Sequence, residues 1–434
     1  MCKLNHFSSV DSNTVMMAAK KYNSPIYLYD EKSIIDKCNF LKLMPNAYGL
    51  KIRYAMKANP NRTILKTIVG QGLKIDASSL NEVRRAYASG VAYNDIILTS
   101  QEIPLGEDLG DLEGMMLDGL KYNVCSLRQL RNIGGFASKN NIPLAIRIHP
   151  GIGSGRTHAL NTGDKYSCFG VHLADLPEAL DCAREKGLVF DYIHVHIGSG
   201  SDPNIWRNNI DLELDVIANS FPDALTVSFG GGFQEARMPD EIAADMFKLG
   251  TYAKKKIKEF YQKTGRKLKM EIEPGTYITA NAGFVVTQVI DKKKTGNDGI
   301  NFIVLNGGME LNSRPLMYGA QHPFYIVSPD GELNFSEFYP KDEDDYMAVV
   351  VGTCCETGDS QCLTPEGKNK PRRIAEPEIG DFMVIGGTGA YCSSMAPMNY
   401  NSHAQVPEIL YTRQKELRQI RARQTLGQIV ANEL

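Results

Sequence analysis

At 434 residues, 43% hydrophobic and 23% charged, the chain has the composition of a folded globular protein and length enough for two domains, since a large barrel alone takes about 250 residues. Forty-eight basic residues against 50 acidic ones leave a formal net charge of -2, which gives no support for a nucleic-acid or polyanion partner. No stretch approaches about 18 uninterrupted apolar residues, and MCKLNHFSSVDSNTV lacks the apolar core of a signal peptide, so neither a membrane span nor secretion is expected.

In chain order, Ile26–Tyr29 is a β-prone run that precedes a regular rhythm. Eight short runs follow, each predicted as a strand: Ile52–Lys57, Leu73–Ala77, Asp95–Thr99, Leu120–Cys125, Leu144–His149, Tyr192–Ile197, Leu225–Phe229 and Leu268–Glu273. Between them lie segments with apolar residues at three- and four-residue spacing, such as Ser79–Ser89, Leu127–Lys139, Leu173–Lys186 and Asp240–Thr264. Eight strand–helix units predict an α/β fold, a (β/α)8 TIM-like barrel over residues 31–277. After about residue 278, Gly283–Ile290, Asn301–Val304, Met347–Val351 and Asp381–Ile385 read as strands without intervening helices. This predicts a C-terminal, mainly antiparallel β domain over 278–434, joined by residues 1–30. The basic segment Thr412–Asn432 is expected to end in a helix.

The nine cysteines are scattered without CxxC spacing, which argues against a disulfide framework or a zinc site and fits a reducing cytoplasm. His194 and His196 have no carboxylate or histidine at ligand spacing, so no metal is expected.

The residues that resist a packing explanation gather at strand ends, where barrels of this type carry their chemistry. Lys57 leaves the first strand into an Asn-Pro turn, and an amine desolvated in the barrel mouth suits Schiff-base formation; a surface lysine would read the same way. His194 and His196 alternate onto one face. Gly230-Gly231-Gly232 lets backbone N–H groups approach a phosphate, or makes a plain tight turn. Glu271 and Glu273 share a face of the last strand, where a lone carboxylate is costly to bury. In the β domain, Arg314 beside Tyr318 offers a planar fork for a carboxylate, or a solvated loop arginine.

Taken together, YAMKANPN, HVHIGSG, SFGGGF, EIEPG, SRPLMYG, CCETGD and GAYCSSM with NYNS, in this order, resemble the PLP-dependent decarboxylases built on the alanine-racemase-type barrel, nearest to the diaminopimelate-cleaving branch. The resemblance runs from about Tyr27 to the C-terminus. It implies pyridoxal 5'-phosphate held on Lys57, His196 stacked on its ring, and Glu273 facing its pyridine nitrogen. It also implies a phosphate held by Ser199, Gly230, Gly231, Gly232, Gly275 and Tyr391. Asp76, Ser79, Glu82 and Arg147 would support the site. A homodimer is implied, in which Cys355, a proton donor, and Glu356, a contact for substrate amino groups, reach the neighbouring subunit. Arg314 and Tyr318, with Tyr391 nearby, would bind the substrate end that is kept, and the reaction would turn meso-2,6-diaminopimelate into L-lysine and CO2.

One departure bears on substrate. The family's EPGR reads Glu273-Pro274-Gly275-Thr276 here, so an arginine that helps hold the distal carboxylate is missing. Thr276 favours an alternative on the same scaffold, a decarboxylase of D-lysine, D-ornithine or a siderophore or diamine precursor. Retained Arg314 favours diaminopimelate. A non-catalytic PLP-binding regulator is opposed by the presence of Lys57, Glu273, Cys355 and Tyr391.

Overall fold

In a computed structural model, residues 3–153, 161–200 and 202–434 are described; Cys2 lies outside them. The chain divides into two compact units. One comprises Met1–Asp36, Glu235–Glu241 and Ile278–Leu434, and the other Lys37–Gln234 and Ile242–Tyr277. The stretch Glu235–Glu241 lies inside the range expected for the barrel. It groups with the β unit because Asn281 donates to Ala236 O at 2.7 Å and Arg237 Nε donates to Gly387 O at 2.9 Å.

Strand β1, Ile26–Asp30, belongs to the β unit. The barrel strands come next: β2 (Leu50–Ala55), β3 (Lys74–Ala77), β4 (Ile96–Thr99), β5 (Lys121–Val124), β6 (Leu144–His149), β7 (Val171–His172), β8 (Phe190–Val195), β9 (Thr226–Ser228) and β10 (Lys269–Ile272). All are parallel. The order β2-β3-β4-β5-β6-β8-β9-β10 closes through β10–β2 into an eight-stranded barrel, with the two-residue β7 added beside β6. Each of the eight expected runs overlaps a barrel strand: six contain theirs, and the first and sixth lie two residues beyond strands that begin at Leu50 and Phe190. The first ends earlier than expected, at Ala55, and Lys57 stands in a one-turn 3-10 helix, Met56–Ala58.

Local chemistry sets the strand-to-helix turns. Asn61, Ser79 and Ser126 each cap the following helix, accepting from the backbone N–H of Thr63, Glu82 and Gln129. Each cap satisfies a donor that a helix start leaves open.

The β unit continues with β11 (Gly283–Lys294), β12 (Asn301–Leu305), β13 (Phe324–Val327), β14 (Leu333–Ser336), β15 (Tyr346–Val351), β16 (Arg372–Ile374), β17 (Phe382–Ile385), β18 (Glu408–Tyr411) and β19 (Leu417–Arg421). Seven of the nine pairings are antiparallel; β1–β18 and β12–β15 are parallel. As expected, the N-terminal run joins this sheet, with β1 between β11 and β18. Its alternation is informative. Ile26 and Leu28 enter the main apolar core with Val15, Ala18, Phe284, Val286 and Ile409, whereas the Tyr27 hydroxyl donates to Leu311 O at 2.6 Å. Helix Ser12–Tyr22, capped by Asp11, brings Val15, Ala18 and Ala19 to that core. The basic tail forms β19 and then a short helix, Leu426–Ile429.

Candidate functional site

Backbone bonds stitch four barrel strand ends to one another. Ala55 N–H donates to Pro274 O at 3.3 Å, Glu273 N–H to Gly230 O at 2.8 Å, and Gly200 N–H to Gly232 O at 3.2 Å. The segments carrying Lys57, Glu273, Gly230–Gly232 and His196 are therefore neighbours, as their strand-end positions predicted.

His196, just past β8, accepts the Gly231 N–H on Nδ1 at 2.9 Å, which fixes the plane and tautomer of the ring. Burial, then Arg147 and Lys57, push its pKa well below the ordinary value, so the ring is neutral at physiological pH. The glycines are needed for space as well as for backbone freedom. A Cβ on Gly231 would lie 2.2 Å from Glu273 O, and one on Gly232, where φ is +84°, would lie 1.9 Å from Gly198 O.

Glu273 is buried, with the Ser228 hydroxyl 3.2 Å from Oε1 and His194 Nε2 3.1 Å from Oε2. Burial raises its pKa, but His194, His196 and Arg147 more than offset this and pull it down to about 2, so it stands as a carboxylate. His194, which showed no carboxylate partner in the sequence, gains one here by folding; Asn123 Nδ2 lies 2.9 Å from its Nδ1. Glu271 and Glu273 do share a face, since the Tyr192 hydroxyl lies 2.9 Å from one and 3.4 Å from the other. Glu271 is also ion-paired with the buried Arg53.

Asp76 is buried with Oδ1 unpartnered, and burial followed by Glu273 pushes its pKa well up. Glu82 accepts the Ser78 N–H at 2.7 Å. Arg147 is buried with Nε unpartnered, its guanidinium 5.1 Å from the Phe169 ring. Lys57 is solvent-exposed, not desolvated as its position suggested, and its charge acts on Asp76, Glu82 and His196. Ser199 is half-buried and Gly275 buried; a Cβ on Gly275 would meet Ala58 Cβ at 3.1 Å.

These groups fit the expected cofactor. They supply an amine for its carbonyl, an ionised carboxylate for a protonated ring nitrogen, and a backbone cradle that no side chain could share.

The β unit holds the remaining candidates. Arg314 opens a short helix, Arg314–Tyr318; it is buried with Nε unpartnered, and its guanidinium lies 5.6 Å from the half-buried Tyr318 ring. Tyr391 has a positive φ of 58°, a conformation a non-glycine residue holds only when its surroundings enforce it. Cys355 and Glu356 are exposed. The NYNS segment holds both: Cys355 N–H donates to Asn401 Oδ1 at 2.8 Å, and the Tyr400 hydroxyl to Glu356 Oε2 at 3.3 Å. Beneath this loop, Asp359 accepts the backbone N–H of Met309 and Cys354, each at 2.7 Å. Glu310, Cys354 and Asp359 place three ligand-type atoms within 4.8 Å of one another. Backbone N–H groups engage both carboxylates, however, and the set reads as a brace for the Cys355 loop.

Sequence reasoning missed Arg237 and His322, both buried in the β unit. The sequence around each carries no signal of that burial.

Residues 32–280 match the family described as pyridoxal-dependent decarboxylase, pyridoxal binding domain. The chain is 31% identical to the diaminopimelate decarboxylase of Escherichia coli strain K12, over 98% of each. Among solved structures, a diaminopimelate decarboxylase superposes with a TM-score of 0.88 at 29% identity, covering 99% of both chains. The diaminopimelate decarboxylase of Helicobacter pylori complexed with L-lysine superposes with a TM-score of 0.76 at 26% identity, covering 95% of this chain and 98% of that one.

Proposed function

The chain belongs to the diaminopimelate decarboxylases, within the pyridoxal-dependent decarboxylases, and on that premise we propose how its residues divide the work of converting meso-2,6-diaminopimelate to L-lysine and CO2. It is a pyridoxal phosphate-dependent amino-acid decarboxylase. The observation that carries the reading is Glu273, kept ionised at the barrel's strand ends beside His194 and Arg147.

Bound pyridoxal phosphate supplies an electron sink for the pair left by the departing carboxylate. Lys57 would hold the cofactor through its side-chain amine. Glu273, as a carboxylate, would keep the cofactor's ring nitrogen protonated. His196, neutral and fixed by Gly231, would stack on the cofactor ring without adding a charge. Gly230, Gly231, Gly232, Gly275, Ser199 and Tyr391 bind the phosphate. Arg314 and Tyr318 bind the carboxylate that is kept, and Glu356 the amino group beside it. Cys355 returns a proton to the carbon that has lost CO2.

The exposure of Cys355 and Glu356 supports their serving a second copy of the chain, so the working form is a homodimer with shared sites. Eight free cysteines among the described residues fit the reducing cytoplasm. No helix among the described residues is long and apolar enough to cross a membrane.

The test is release of lysine and CO2 from meso-diaminopimelate beside D-lysine, D-ornithine and L-ornithine, with pyridoxal phosphate added. Turnover confined to meso-diaminopimelate is expected. Preference for D-lysine or D-ornithine would transfer the assignment to the rival specificity that Thr276 suggests.

A further inference from the structure

The β unit buries two arginines that form no ion pair among the described residues, although the carboxylates of Glu235 and Glu241 act on Arg237 from nearby. Arg237 and Arg314 are 7% and 8% exposed. Arg237 Nη2 and Arg314 Nε are buried without an acceptor. A buried cation left uncompensated is among the costliest arrangements a fold can keep, and it persists where something other than folding requires it.

The surroundings keep both charges in place without neutralising them. Arg237 Nε donates to Gly387 O at 2.9 Å, and His322 Nδ1 lies 2.8 Å from the preceding carbonyl, Gly386 O. With Nδ1 so bonded, His322 presents Nε2 as an acceptor, also buried and unpartnered. Burial and then Arg314 and Arg237 hold the His322 pKa well below the ordinary value, so it adds no third charge. Glu241 Oε2 is engaged by the backbone N–H of Arg237 at 2.9 Å and of Met238 at 3.3 Å. Burial raises the Cys392 thiol to about 11 despite both arginines, so no thiolate balances them. Burial, then Arg314, bring Arg237 itself down to about 9, which leaves it charged at neutral pH.

We propose that Arg237 and Arg314 together form a two-guanidinium seat for a carboxylate, the one that the substrate keeps. The proposal rests on the reading above that Arg314 meets that carboxylate, and adds Arg237 as a specificity-determining residue. One carboxylate has lone pairs for both open N–H groups. Arg237 thus adds a second positive charge to the seat, and the substrate's carboxylate is the directly bonded counter-ion that neither guanidinium has among the described residues.

The experiment is calorimetric binding of L-lysine and of cadaverine, its analogue without the carboxylate, to wild-type holoenzyme and to R237Q and R237K. kcat/KM for meso-diaminopimelate and the thermal midpoint are measured on the same samples. The seat predicts that R237Q weakens L-lysine about 30- to 100-fold, the range for losing a charge-assisted contact. Cadaverine should change less than about threefold and R237K should recover part of the loss. The midpoint should hold or rise, because a buried unpaired charge has been removed.

Equal weakening of both ligands with a lower midpoint would make Arg237 a structural brace and overturn the proposal. So would loss of pyridoxal phosphate from R237Q, which would move the seat to the cofactor's phosphate, or L-lysine binding within threefold of wild type. Wild type that fails to turn over meso-diaminopimelate would overturn the activity reading alone; the L-lysine and cadaverine pair still judges the seat.

Discussion

His194 Nε2 stands 3.1 Å from Glu273 Oε2, both side chains buried, and this contact holds the site's key carboxyl in its charged form. E273Q should lose at least on the order of a hundredfold in decarboxylation, since a neutral amide cannot keep a ring proton in place. The pair also has a pH signature. The folded pKa lies below the unfolded value of 4.5, so the stability Glu273 contributes is present above pH 4.5 and is lost as pH falls toward 2. In urea titrations, the difference between wild type and E273Q should narrow across that window; a gap independent of pH would refute the depressed carboxyl.

Lys57 is expected to carry the cofactor covalently. Borohydride reduction followed by peptide mass mapping should place the pyridoxal adduct on Lys57. K57A should bind pyridoxal phosphate only reversibly and turn over no substrate. An adduct on another lysine would reassign the site.

Gly232 has neither the space nor the backbone conformation for a side chain. G232A places its Cβ 1.9 Å from Gly198 O at a φ of +84°. It should cost at least about 2 kcal/mol and raise the pyridoxal phosphate dissociation constant. Chemical denaturation and cofactor titration read the two effects separately.

Asn401 positions the loop that presents Cys355. N401A removes the side-chain oxygen that accepts the Cys355 N–H, about 1 kcal/mol. It should lower kcat several-fold with little change in KM, whereas C355A should be far more damaging. Single-turnover proton delivery, followed as solvent deuterium incorporated into lysine, would slow in both variants if the loop sets proton return.

Glu213 lies on the inner face of helix Pro203–Ser220 with Trp206 and Asn209, and neither of its carboxylate oxygens finds a partner. Burial pushes its pKa well above 4.5, so the native state keeps the proton while the unfolded state loses it. Stability is therefore lost as pH rises above 4.5. E213M should raise the melting midpoint at pH 7, by about 2–4 °C for each kcal/mol relieved, and by less at pH 4. A variant less stable at both would show that Glu213 is structurally required.

The barrel was legible because each of its strands is a short apolar run closed by a turn and followed by a helical spacing, as at Leu144–His149 and Leu127–Lys139. Lys57, His196 and Glu273 were legible because polar residues at strand ends have little packing reason to be there. The β unit was harder to read. β13, β14, β16 and β18 are three or four residues long, too short for a period of two to stand out. Arg237 was hidden for another reason. Nothing in its neighbourhood shows that it will be buried, and the absence of a partner is a property of the fold. The same holds for His194, whose carboxylate comes from a strand far along the chain.

Strand β1 also has a consequence for how the protein is made. Tyr27 pairs with Val285 on one side and Glu408 on the other. During synthesis at roughly 5–20 residues per second, Glu408 is added about 20–80 s after Tyr27. Once β11 has been made, and until β18 follows, Ile26 and Leu28 stand on a strand open along one edge, although every barrel strand has already been translated. Codon-level slowing between β11 and β18 would lengthen that exposure, so silent substitutions there should alter soluble yield with no change in the protein's composition.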